Sequence, residues 1–412
     1  MAETDSDIVI AGGGPAGMVA GLLLARAGLG VAVLEKHGDF LRDFRGDTVH
    51  PSTLRIFDEL GLRERLLARP HDRVSGIDAL IGGRTFRIGD FSHFDRRWNF
   101  VAMMPQWEFL DFVAGESRHY PGFRLLMNAE ATGLVEEEGR VRGLRYRSAG
   151  EEREIRARLT IAADGRGSVL RSAAGLAVRD LGAPIDIFWF RVPKERTPQN
   201  DTTGVFAAGR IIALIDRGAY WQCAYVFPKG SAGAVRGRGI DAFRAEVAGL
   251  APVLAPGLDA VAAWEDVKLL SVSLDRLERW SRPGLLAIGD AAHAMSPIGG
   301  VGINLAVQDA VAAANLLAGP MGRGEDPDPL LARVEARRLP AVRLIQGLQK
   351  AAHDRLITPL LLRGDRAFRI PPVLRLLDRF PPLRRIPAAL IGFGYRPEHV
   401  RSPQPASKGS GS

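Results

Sequence analysis

The chain has a single cysteine, Cys223, which excludes an internal disulfide and fits a reducing cytoplasm. The thiol itself reads as a small buried hydrophobe. Residues 1–7 are short and acidic, with strand-like residues directly behind them, so no secretory signal is expected. No apolar run reaches the roughly 20 residues of a membrane-spanning helix, which predicts a soluble or at most peripheral protein. The 8 histidines show no metal-ligand spacing, and no metal is expected. No repeat of fixed period is present.

What is present is ample. At 412 residues the chain exceeds one typical core and should divide into about two domains, and 46% hydrophobic residues can fill them. The net charge of +8 is concentrated late, with nine arginines between Arg355 and Arg396 against two acids, Asp365 and Asp378. No recognition module accompanies this charge, and the arginines are interspersed with leucine and isoleucine, so no nucleic-acid binding is expected.

Three glycine-anchored segments carry the chemistry. Residues 7–11 read as a buried parallel strand, followed by Gly12-Gly13-Gly14-Pro15-Ala16-Gly17, a helix over 16–27 stopped by Gly28, and a second strand over 31–34 leading to Glu35 and Lys36. Gly12, Gly14 and Gly17 match G-x-G-x-x-G in the strand–turn–helix context it requires. The glycines let backbone approach a pyrophosphate, and the helix opening at Pro15 and Ala16 turns unpaired N–H groups toward it. Glu35 ends the second strand, where a carboxylate accepts hydrogen bonds from ribose hydroxyls. The second segment, Asp164-Gly165-Arg166-Gly167-Ser168, closes a strand over 155–163.

The third segment is Gly289-Asp290-Ala291-Ala292-His293, continuing to Ser296-Pro297-Ile298-Gly299-Gly300-Val301-Gly302-Ile303-Asn304. Asp290 suits a ribityl hydroxyl. The glycines bring backbone amides close to a planar ring at the start of a helix over 302–317. Such a helix N-terminus favours the negative charge that a reduced flavin develops. Pro297 stiffens the loop beside the ring and, with His50, is a candidate catalytic residue. Together the three segments predict FAD and redox chemistry on a small organic substrate.

With these segments in this order, the chain resembles the FAD-dependent aromatic hydroxylases of the para-hydroxybenzoate hydroxylase type, the single-component flavoprotein monooxygenases, over roughly residues 7–317. The resemblance implies an α/β fold: a Rossmann-like FAD-binding domain, a second, mostly antiparallel β-sheet substrate domain and a C-terminal helical segment. It implies that the first segment binds the ADP part of FAD and that Gly289 and Asp290 bind the ribityl and pyrophosphate part. Asp164, Gly165, Ser168 and Arg171 would serve both FAD and the nicotinamide cofactor. Arg45 would contact FAD and Gln106 would sit beside the ribityl chain; an exposed arginine and a helix-capping glutamine are the plain alternatives. The implied chemistry has NADPH or NADH reduce FAD and O2 add to give a flavin C4a-hydroperoxide, whose distal oxygen moves to an electron-rich carbon. No separate nicotinamide domain is visible. Two rivals keep the fold: an FAD-dependent reductase of isoprenoid double bonds, and a flavin binder without turnover. Many members carry two prolines before the loop glycines and a glutamine or lysine further on; here Ser296 and Val301 stand there. The thioredoxin-like C-terminal domain of phenol hydroxylases is absent, and the lack of a W-x-W-x-I-P run argues against a halogenase.

Changes of texture place FAD-binding parts at 1–73, 101–180 and 276–350, substrate-domain parts at 74–100 and 181–275, a helical region at 351–400 and a disordered tail at 401–412. Within the second sheet, Trp189, Tyr220, Trp221, Gln222 and Tyr225 are candidate lining residues, with ordinary sheet packing as the alternative. Many aromatics and few charges there favour an apolar substrate, polycyclic or isoprenoid. His50 either faces the flavin and deprotonates a phenol or is a structural hydrogen-bonder; His293 reads as structural. Residues 371–382 form a basic amphipathic segment for which three roles stay open: a cap on the nucleotide domain, a homodimer contact, or peripheral contact with an anionic membrane.

Overall fold

The computed structural model describes residues 3–41, 48–81, 83–195, 202–207, 209–362 and 370–404. Arg45 and residues 405–412 of the expected disordered tail lie outside the described residues.

The apolar strand at the start of the chain becomes the centre of a sheet because its residues can be buried on both faces. Strand Glu3–Ala11 pairs in parallel with Val31–Leu34 on one side and Glu151–Ala162 on the other. Phe123–Leu126 and Leu285–Ala287 extend it on the two sides, again in parallel, and Ser281–Arg282 adds an antiparallel edge beyond the latter. All three glycine segments therefore leave the carboxyl ends of adjacent strands, where open α/β sheets bind their ligands.

Helices Pro15–Arg26 and Gly302–Gly322 pack into the core beside this sheet. Gly21 makes the close approach possible, since a Cβ there would stand 2.8 Å from Val33 Cγ2. The second helix corrects the reading that no apolar run is long enough to span a membrane: Ile298–Gly322 has the length and composition to do so. It is instead a core helix, with Val307, Val311, Ala314 and Leu317 fully buried.

The second sheet is seven-stranded, in the order Lys268–Ser271, Ile185–Pro193, Tyr220–Pro228, Arg210–Asp216, Thr202–Ala207, Gly76–Ile81, Arg84–Asp90. Every pair is antiparallel except Thr202–Ala207 with Gly76–Ile81. Strand alternation gives it two apolar faces. Phe188, Phe190, Trp221, Cys223, Tyr225 and Phe227 turn to helix Ile240–Leu250, meeting Phe243 and Val247. Ile187, Trp189, Ile211, Ala224 and Val226 turn the other way, onto Ile298 of the glycine loop. Trp221 and Tyr225 thus belong to the far core, a correction to their reading as pocket residues.

Helix Asp328–Ala352 runs through a π-helical turn, His353–Ile357, into Thr358–Leu362. Helix Pro372–Arg379 buries Leu374 and Leu377 against Ala79, Ile81 and Phe86. It therefore caps the edge of the second sheet, not the nucleotide-binding one, and leaves Val373, Leu376 and Phe380 exposed.

Candidate active site

The first segment has the geometry of a phosphate cradle. Gly12 has φ +105°, and a Cβ there would come 2.2 Å from the Ala163 carbonyl oxygen; a Cβ on Gly17 would come 2.0 Å from that of Gly12. Gly14 differs, because its missing Cβ faces open space with no atom within 4 Å. It caps the helix that opens with Pro15 and Ala16. Two of the glycines thus serve the chain's own packing, while the third faces open space, which is what a pyrophosphate against this helix N-terminus needs. Glu35 is buried beside the turn, accepting from the Gly13 N–H at 3.1 Å and from the His37 N–H at 3.1 Å. Lys36 is exposed at the end of the strand, and Gln106 opens helix Gln106–Ser117, half-buried. FAD fits this donor set.

The second and third segments are tied together. Asp164 accepts from Ser168 Oγ at 2.5 Å, and Ser168 Oγ in turn accepts from the Arg171 N–H at 3.0 Å. Burial pushes the Asp164 carboxyl up, against these hydrogen bonds. Arg171 reaches the Ala291 carbonyl at 3.3 Å, and Arg166 Nε pairs with Asp290 at 3.0 Å. Gly165 has φ +84° with nothing within 4 Å of its absent Cβ.

Asp309, Arg338 and the residues beyond them were missed by the sequence reading. Asp309 is fully buried and accepts from the Gly289 N–H (3.1 Å), His293 Nε2 (2.6 Å) and Arg338 Nε (2.9 Å). Burial alone would push this carboxyl up, but His293 and Arg338 outweigh it and hold it below the usual value. His293 is thus bound into a buried ion-pair cluster. The available signal was polar residues at helical spacing, Arg338, Gln346 and Gln349, on the buried face of a 25-residue helix.

Gly299 and Gly300, at φ +79° and +62°, turn the loop between Pro297 and the helix beginning at Gly302. Thr48 Oγ1 donates to the Gly300 carbonyl at 2.9 Å, and Asn304 Oδ1 accepts from Thr53 Oγ1 at 2.8 Å. Val301 is buried, and Gly302 and Ile303 are half-buried. His50 lies against this loop, with Nδ1 donating to the Ile391 carbonyl at 2.9 Å. Burial pushes its pKa down to about 4, despite hydrogen bonds to the backbone of Ile391 and Gly300.

The sheet face opposite the loop is apolar with polar exceptions. Trp189, Tyr220 and Gln222 share it by alternation, Trp189 lying opposite Ala224, Gln222 opposite Arg191 and Tyr220 opposite Pro193. Gln222 Oε1 accepts from Arg217 Nε at 2.9 Å, and Arg191 stacks over Tyr220 at 5.3 Å. Beside Ile298 the face is closed by Ile357 and Leu360. The buried Trp189 Nε1 and Thr358 Oγ1 have no hydrogen-bond partner among the described residues.

The profile of a family described as FAD binding domain matches residues 5–347. The 6-methylpretetramide 4-monooxygenase of Streptomyces rimosus is 31% identical over 401 residues, covering 96% of this chain and 94% of its own. Among solved structures, the anhydrotetracycline hydroxylase OxyS from Streptomyces rimosus has a TM-score of 0.72 at 23% identity, over 94% of this chain and 76% of its own. PqsL of Pseudomonas aeruginosa, solved in complex with 2-aminobenzoylacetate, has a TM-score of 0.73 at 22% identity, over 87% of this chain and 98% of its own. These two structures share the fold.

Proposed function

The chain belongs to the FAD binding domain family and is an FAD-dependent monooxygenase, and on that premise we propose that it hydroxylates a fused polycyclic phenol or related ketone with NADPH or NADH as reductant. The observation that carries the substrate class is the sheet face opposite the glycine loop. It is apolar, yet Trp189 Nε1 lies buried there without a partner among the described residues. An unmet buried donor costs about 1–3 kcal/mol, which a ligand oxygen on a flat apolar skeleton would recover. The name of the Streptomyces relative supports an aromatic substrate of this kind.

FAD, when bound, supplies the chemistry of dioxygen: one oxygen atom enters a ring C–H bond as hydroxyl and the other leaves as water, while NAD(P)H is oxidised. The chain's own residues do the rest. Gly12, Gly14 and Gly17 with the following helix N-terminus hold the pyrophosphate, and Glu35 holds the adenosine ribose. Asp290 and Gln106 would hold the ribityl chain. Pro297 and the backbone of Gly299 to Asn304 set the ring's environment, and Ile298, Ile357 and Leu360 exclude water from the reacting face. Trp189, Tyr220 and Gln222 orient the substrate. His50, neutral at physiological pH, buttresses the loop and takes no proton from the phenol. The lone buried Cys223 suits a cytoplasmic location.

Turnover under isotopically labelled dioxygen tests this reading. Label in a hydroxylated naphthol or anthrol is the expected result; a reduced, unlabelled product would replace hydroxylation with reductase chemistry.

A further inference from the structure

The glycine loop is held from behind by side chains that no motif announces. Gln346 Nε2 donates to the carbonyls of Asp275 (2.7 Å) and Ala294 (3.2 Å). Three residues on, Gln349 Nε2 donates to the carbonyls of Ser296 (2.9 Å) and Ile298 (3.0 Å), and its Oε1 accepts from the Ser296 N–H (3.1 Å). Ser296 Oγ shares a hydrogen bond with His353 Nε2 at 3.0 Å and accepts from the Ile298 N–H at 3.4 Å. Ser296, Gln349 and His353 are 1%, 4% and 0% exposed. Pro297 has no N–H and its carbonyl already accepts from the Gly300 N–H at 3.0 Å, so the side chains grip the loop through the groups on either side of it.

We propose that Ser296, Gln349 and His353 are positioning residues that fix the loop over the flavin ring, and that the π-helical turn couples this grip to the substrate face. The turn His353–Ile357 begins at the residue that holds Ser296. It ends at Ile357, which packs with Leu360, Trp189 and Ile298. π-helical turns are rare and recur at functional sites, because the extra residue re-aims side chains on one turn of helix. A ligand that displaces Ile357 therefore pulls on His353 within the same turn, and through Ser296 on Pro297. Ser296 and His353 are not a nucleophile and base: His353 Nδ1 has no partner among the described residues to orient it, and the hydroxyl is sealed from substrate. The coupling rests on the assignment of Gly289 to Asn304 as the flavin segment and of the sheet face as the substrate site.

The test uses the purified holoprotein and Ser296→Ala, His353→Leu, His353→Gln and the double variant Ser296→Ala/His353→Leu. The readouts are the FAD dissociation constant, from recovery of flavin fluorescence, and the change in the flavin visible spectrum on adding naphthol. Ser296→Ala and His353→Leu should each weaken FAD binding by about tenfold and abolish the naphthol response. His353→Gln, whose amide can reach Ser296, should retain both, and the double variant should be no worse than either single one. Wild-type FAD affinity in Ser296→Ala and His353→Leu would overturn the positioning role. Weakened FAD binding with an intact naphthol response would overturn the coupling alone. A wild type blind to naphthol would count against the substrate reading, and the FAD affinities would still decide the brace.

Discussion

Asp309 accepts hydrogen bonds from three directions, and one of its donors is the backbone of the GDAAH segment itself. Replacing it with Asn takes one of two counter-charges from the buried Arg338 guanidinium, leaving Glu398 at 3.6 Å, and loss of one partner of a buried pair costs up to roughly 3–5 kcal/mol. Asp309→Asn should lose that much stability in urea unfolding. Because the folded carboxyl is held below its unfolded value, the pair stabilises fully above the ordinary Asp range and loses this contribution only as pH falls through the folded value. His50 works in a different window. Its folded pKa is about 4 against 6.5 unfolded, so as pH falls through that interval the unfolded chain takes up the proton first and stability declines. The advantage of wild type over His50→Leu should narrow across this interval by up to roughly 3 kcal/mol, as read by urea midpoints at stepped pH. A constant difference would mean that His50 takes up its proton as readily in the fold as in the unfolded chain.

At the scale of the element, the three motif glycines separate into two jobs. Gly12→Ala drives a Cβ to 2.2 Å from the Ala163 carbonyl oxygen at a positive φ, so the strand–turn–helix unit itself must shift. Gly14→Ala meets nothing within 4 Å. Thermal melts of the FAD-free proteins should show a lowered Tm for the first and a wild-type Tm for the second, while both lose FAD affinity, the second by about tenfold. Equal affinity in Gly14→Ala would move the pyrophosphate away from that helix. The sequence made this unit legible because strand, turn, helix and acid follow one another within a short stretch. Alternation likewise puts Trp189 and Gln222 on one face, and the same alternation, misapplied to Trp221 and Tyr225, places those two on the other. What stayed hidden was long-range. Asp309 meets Arg338 across 29 residues and Ser296 meets His353 across 57, and no local pattern marks such partners.

On the scale of the whole molecule, the two large sheets among the four described meet at one loop. Fold class could be read from motif order, since each glycine segment had to leave the carboxyl end of a parallel strand. The apolar run that would pass for a membrane helix shows the limit of composition: only the surrounding sheet and helices make Gly302–Gly322 a core element. Likewise the amphipathic segment declared a buried face but not which sheet it would cover. The proposed coupling of the substrate face to the flavin loop has a kinetic consequence: substrate on the Trp189 face should control when the flavin accepts electrons. The direct measurement is anaerobic bleaching of the bound flavin by NADPH or NADH, with and without naphthols and hydroxyanthracenes. Strong acceleration by these polycyclic phenols, lost in Trp189→Ala but kept in Trp189→Phe for ligands without a ring oxygen near the indole, is the predicted result. Bleaching that proceeds at one rate whatever the ligand, or not at all with either nicotinamide, would contradict it.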